Sequence, residues 1–105
     1  RSILLTLLVA ACGTAFANDA TWTQGFNTIY QQELTSTTAC KTQEPEVHRV
    51  CSDVLRNEGN APYILHHGQP TDKVMVLFHG LSDSPFFFRS IAPFIHQQGY
   101  TVVVG

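Results

Sequence analysis

The sequence predicts an α/β fold: strands of a mostly parallel sheet, preceded by a helical N-terminal extension. Three features carry that prediction. Residues 73–79, KVMVLFH, hold an unbroken apolar run between Lys73 and His79, the pattern of a strand covered on both faces, as parallel sheets require. Residues 100–104, YTVVV, are aromatic and β-branched, which suits a second strand. Between them Phe87, Ile91, Phe94 and Ile95 recur at helical spacing over 85–98. Strand, helix and strand in that order make a βαβ unit, whose crossover is expected to be right-handed.

The N-terminal residues read as a targeting segment. Arg1 precedes ILLTLLVAA at 3–11, a positive charge followed by a short apolar stretch, as in a secretory signal peptide. The stretch is about nine residues, whereas a membrane-spanning helix needs about twenty. A buried core helix is the alternative, but it would show a polar face, and only Thr6 is polar here. Two processing sites compete. Ala15-Phe16-Ala17 is an A-x-A site that would make Asn18 the mature N-terminus. Val9-Ala10-Ala11-Cys12 resembles a bacterial lipobox, in which Cys12 would be lipidated. Both place the protein outside the cytoplasm, periplasmic or secreted, with the membrane engaged only through the signal or a lipid anchor. No initiator Met is present, so the start of the gene is expected to lie upstream.

Residues 18–60 read as the helical extension. Trp22, Phe26, Ile29, Tyr30 and Leu34 share one helical face over 21–37. Thr21 is a candidate cap. A polar loop follows over 38–45 and ends in Pro45. Val47, Val50, Cys51, Val54 and Leu55 then fit i, i+3, i+4, i+7, i+8, which predicts a second helix over 46–57 with Gly59 as its stop. That helix would turn Cys51 toward the core, with Cys40 reaching it from the loop. In an oxidising compartment Cys40 and Cys51 are disulfide candidates; two buried free thiols are the alternative. Their spacing is far from C-x-x-C, which argues against zinc or thioredoxin-like redox chemistry.

Residues 61–105 read as the sheet-forming part. PYILHH at 62–67 is a strand, and Gly68 to Asp72 a turn by composition. Pro93 must kink or restart the helix over 85–98, because it has no N–H to donate. Gly99 ends that helix.

Composition narrows the function classes. Of 105 residues, 13% are charged and the net charge is −2, so nothing electrostatic favours nucleic acid or an anionic membrane. There is no phosphate loop of the G-x-x-x-x-G-K-[ST] or G-x-G-x-x-G type, which argues against a nucleotide-binding βαβ unit such as a glycosyltransferase's. No metal or cofactor is expected. His66 and His67, adjacent on a predicted strand, point to opposite faces, and His48 and His96 have no acidic or Cys partner at ligand spacing.

The informative segment is HGLSDSP, His79 to Pro85, between a predicted buried strand and a predicted helix. Ser84 suits a helix N-cap and Pro85 the first helical position. Gly80 lets the backbone turn and come close to a ligand. Phe86, Phe87 and Phe88 follow; alternate members of such a run face the core, and one packs at a pocket mouth, with a lipid-facing patch as the alternative.

Residues 74–104, VMVLFHGLSDSPFFFRSIAPFIHQQGYTVVV, resemble the N-terminal part of the α/β-hydrolase superfamily, nearest to its esterase, lipase and lysophospholipase-like members. The likeness lies in an apolar strand ending in His-Gly, a short Gly/Ser loop, a helix with an APF turn, and GY opening the next strand. It implies that these are the third strand, first helix and fourth strand of that fold, with 62–67 an earlier strand of the same sheet. It also implies that 61–105 is the front part of a larger domain. The loop after the third strand supplies one donor of the oxyanion hole in that family, and by position this would be the Leu81 backbone N–H, with His79 and Gly80 shaping the turn. Fixed N–H donors of this kind stabilise the oxyanion that acyl transfer creates.

No G-x-S-x-G occurs in the 105 residues, and the family order is Ser, then Asp or Glu, then His. Ser82, Asp83, Ser84 and His79 are therefore not a triad: His79 is expected to order the loop rather than act as a base, Ser82 to be a turn residue rather than line the acyl pocket, and Asp83 to be solvated. The implied function is an exported serine hydrolase acting on carboxylic ester or lipid substrates, with this segment alone inactive. The alternative is a non-catalytic binding protein on the same scaffold.

Overall fold

The computed structural model describes residues 23–105. The expected signal segment, both processing sites with Cys12, and Trp22 lie outside the described residues.

Helix α1 covers 23–33. Phe26 is buried, with Tyr30 and Leu34 packed beside it against Ile64 and Val103. Ile29, expected on the same face, is 58% exposed. The helix stops short of the expected residue 37, because Thr35 takes a left-handed φ of 61° that a helix cannot continue through.

The helix expected over 46–57 is absent. Its place is taken by strand β1, Val47–Arg49, and an extended bridge from Thr38 to Cys51; turns and bends follow, and then a 3-10 turn, Glu58–Asn60. Val47 packs with the cluster around Tyr63 and Leu65, whereas Val50 packs with Phe26 and Ile64. These are opposite sides of the sheet, so burial follows a strand's alternation and not a helix's stripe. Val54, required by the helical pattern, is 61% exposed. Pairing with β2, Tyr63–Leu65, settles the matter: Val47, His48 and Arg49 lie opposite Leu65, Ile64 and Tyr63.

Strand β3 is Val74–Leu77 and β4 is Thr101–Val104. Between them come a 3-10 helix, Pro85–Phe88, and helix α2, Ile91–Gln97. Pro93 falls in the first turn of α2, where its missing N–H costs nothing. Gly99 closes that helix at φ 95°, its N–H bonding the His96 carbonyl at 3.0 Å.

The four strands form one sheet in the order β1-β2-β4-β3. It is mixed, and not mostly parallel as expected. β3 and β4 run parallel, while β1–β2 and β2–β4 are antiparallel. The core lies on both faces of the central strands. Ile64, Val102 and Val104 are fully buried; Tyr63, Leu65, Val102 and Val104 face α2 through Ala92 and Ile95, and Ile64 faces α1 through Phe26. β3 is not covered on both faces. Leu77 packs on the core, but Val74 and Val76 are 56% and 49% exposed, because β3 is the edge strand and α1 packs over Ile64 and Val103 instead.

Cys40 and Cys51 form a disulfide with Cα atoms 5.3 Å apart, consistent with an exported protein. Cys51 presents its buried side chain from an extended segment, not from a helix. Among the described residues no helix is long and apolar enough to cross a membrane.

Candidate functional site

The loop from His79 to Ser84 joins the C-terminal end of β3 to the 3-10 helix. A turn forms where the Asp83 N–H donates to the Gly80 carbonyl at 3.1 Å. His79 Nδ1 donates to the same carbonyl at 2.8 Å. That carbonyl only accepts, so Nδ1 carries the proton in this bond. Ser84 has the extended backbone of a cap but makes no side-chain cap bond. Its hydroxyl instead donates to Asn60 Oδ1 at 3.0 Å, which ties the loop to the 3-10 turn before β2. Ser82 and Asp83 are exposed.

Leu81 stands at the outer point of this turn with its side chain fully exposed. Its backbone N–H makes no hydrogen bond within the described residues. The Gly80 and Ser82 N–H groups likewise have no acceptor among the described residues, so the turn offers free backbone donors that can donate to an anionic ligand oxygen. Gly80 is not demanded by the backbone, since its φ is not in the left-handed region, and a Cβ there would meet only Asp83 Oδ2 at an ordinary 3.5 Å. What glycine leaves at this position is room on the solvent side.

Gly59, expected as a helix stop, has a different task. A Cβ there would come within 2.9 Å of Asn57 Oδ1 and 3.0 Å of the Phe86 ring. Its absence lets the two 3-10 segments approach closely. The three phenylalanines divide accordingly: Phe88 packs on the core, Phe87 is 61% exposed, and Phe86 lines a neighbouring groove.

That groove has a volume of about 430 Å³ and runs between the sheet and the helical layer. Arg49 lies over the Tyr63 ring at 5.0 Å and Arg89 over the Phe86 ring at 4.2 Å, so two cations sit on its aromatic walls. Burial raises the Tyr63 hydroxyl above its ordinary value, with the Arg49 charge pulling it back. On the other face of the sheet His48 bonds Asn27 Oδ1 at 2.7 Å; burial, then the nearby His66, lowers its pKa. Leu81 does not line the groove. Sequence reasoning missed the groove because its walls come from segments far apart along the chain.

The histidines also differ from expectation. Residues 66 and 67 lie just past β2, whose last residue is Leu65. His96, which has no acidic partner at ligand spacing in sequence, gains one in space. Glu46, His67 and His96 each bring one ligand atom within 4.8 Å of the others. No protein-family model, curated protein or solved structure matches the chain.

Proposed function

We propose that this chain is the oxyanion-loop portion of an exported serine hydrolase of the α/β-hydrolase type, acting on carboxylic esters or related acyl substrates. One observation carries the reading: shortly after a strand with a parallel neighbour, a tight turn over 80–83 holds a Leu81 N–H that has no partner among the described residues. Strand order supports it, because among the described residues Val74–Leu77 is the third strand and Thr101–Val104 the fourth, the places the resemblance assigns to them. The disulfide supports export, whether as a soluble protein processed after Ala17 or as one lipidated on Cys12.

In this mechanism a Ser outside these residues attacks the substrate carbonyl, and a His takes its proton and then returns it to the leaving group. The Leu81 N–H donates to the oxyanion, and the His79 and Gly80 bonds hold the turn so that nothing reorganises as charge develops. The test is ester hydrolysis by the polypeptide of the full reading frame. Leu81→Pro removes the N–H and lowers kcat by about 10²–10³-fold with KM little changed, while Leu81→Ala keeps both. An unchanged kcat in a folded Leu81→Pro variant rejects the donor. A full-length protein that binds esters without turnover points instead to a binding protein on this scaffold.

A further inference from the structure

We propose that Glu46, His67 and His96 bind a divalent transition-metal ion of the zinc class. Glu46 stands just ahead of β1, His67 just past β2, and His96 in the last turn of α2. An ion there straps the β1–β2 pair to the helix that covers it. One ligand atom of each residue lies within 4.8 Å of the other two.

Three observations go beyond proximity. Both rings are already anchored. His67 Nε2 donates to the Tyr100 carbonyl at 3.1 Å, and His96 Nε2 to the His66 carbonyl at 2.6 Å. A carbonyl only accepts, so each ring keeps a proton on Nε2, which leaves Nδ1 as the nitrogen available to an ion. Metal-binding histidines are held in this way, with the second ring nitrogen tied to a backbone carbonyl or carboxylate.

Next, Glu46 Oε2 lies 3.9 Å from His67 Nδ1. That is too long for a hydrogen bond, so a gap separates the two ligand atoms. Two ligands placed tetrahedrally at about 2.1 Å from one ion stand about 3.4 Å apart, so the gap is close to the size an ion fills.

Finally, Glu46 holds a left-handed φ of 63°, a conformation that a non-glycine residue keeps only when its surroundings impose it. The His66 N–H, bonded to the Glu46 carbonyl at 2.9 Å, is what fixes it beside His67.

Two imidazoles and a carboxylate suit zinc, copper, nickel or iron rather than magnesium or calcium, which prefer oxygen ligands. Three protein ligands leave a fourth tetrahedral position for water. Access is open, since the His67 side chain is 26% exposed and that of Glu46 50%. The rings are stacked at 4.0 Å and 16°. Near-parallel stacked rings do not aim both Nδ1 atoms at one point, so ion binding requires the rings to turn about their Nε2 anchors.

The test is a titration of Zn²⁺ alone into the oxidised polypeptide of the full reading frame carrying Cys12→Ser, so that the Cys12 thiol does not compete. Calorimetry and histidine side-chain NMR are read together. The expected result is one ion per chain, with ring resonances of His67 and His96 shifting and that of His48 unmoved. Glu46→Gln and His96→Gln each weaken binding by about tenfold or more, and Mg²⁺ at the same concentration produces no shift. The proposal is overturned if no one-to-one binding occurs, if both variants bind as the parent does, or if the His67 and His96 rings stay where a proton alone places them. If a variant does not fold, the ring shifts in the parent chain decide the matter alone.

Discussion

Opening the Cys40–Cys51 disulfide is the perturbation whose size follows most directly from the structure. The bridge spans a sequence separation of 11 residues, and β1 lies inside the closed loop. In the chain-entropy relation a loop of that length restricts the unfolded chain by about 3 kcal/mol at 25 °C. For a domain of this size each kcal/mol moves Tm by about 4–8 °C, so the reduced protein should melt about 12–24 °C lower. Two versions of the experiment separate causes. Reduction keeps both sulfur atoms in place and tests the cross-link alone. Cys40→Ala with Cys51→Ala also removes sulfur from a site where Cys51 is 5% exposed, so its loss should exceed that of reduction. Urea melts supply the stabilities, and the m-value should rise as the uncrosslinked chain exposes more surface on unfolding. In hydrogen exchange, the β1 amides should lose protection before those of β4. A loss below about 1 kcal/mol on reduction would refute the reasoning. It would mean that the unfolded chain keeps the Cys40 and Cys51 segments close together without the cross-link.

Two further outcomes are expected. Ile64→Ala removes a fully buried side chain packed against Phe26 and should cost about 2–5 kcal/mol in denaturant melts, with α1 amides the first to lose protection. The Glu58 carboxyl is held below its ordinary value of 4.5, first by the Lys41 N–H and then by that of Thr42. A depressed pKa stabilises the fold above the unfolded value, and that contribution disappears as pH falls through the folded one. Stability should therefore fall as pH drops below about 4.5, and Glu58→Gln should flatten that part of the curve; an identical slope in the variant would remove Glu58 as its cause.

The strand–helix–strand unit was legible in the sequence because its signals are local. Val102 and Val104 declare a strand by side-chain type. Ser84 and Pro85 mark where a helical turn starts, and Pro93 and Gly99 constrain α2 through backbone chemistry that no partner can change. The disulfide was legible for a similar reason, as an isolated pair of cysteines after an expected export signal. The segment 46–57 was misread because Val47, Val50 and Cys51 satisfy a helical spacing and a strand's alternation alike once both faces of a sheet are buried. Local pattern cannot separate those cases; the partner strand does. The exposed face of β3 was equally invisible, because an apolar run records what a strand can bury and not which neighbours cover it.

The candidate site divides along the same line. Sequence by itself determined that a short Gly/Ser turn between a strand and a helical start would carry the Leu81 N–H, since residue type and order suffice for a turn. Only the tertiary structure decided that this N–H has no partner within the described residues, that Gly59 gives way to Phe86, and that Arg49 and Arg89 flank a shared groove. The same holds for Glu46, His67 and His96. Their meeting depends on the β1–β2 register and on the seat of α2 over the sheet, and those long-range pairings are settled by packing, which no spacing along the chain records.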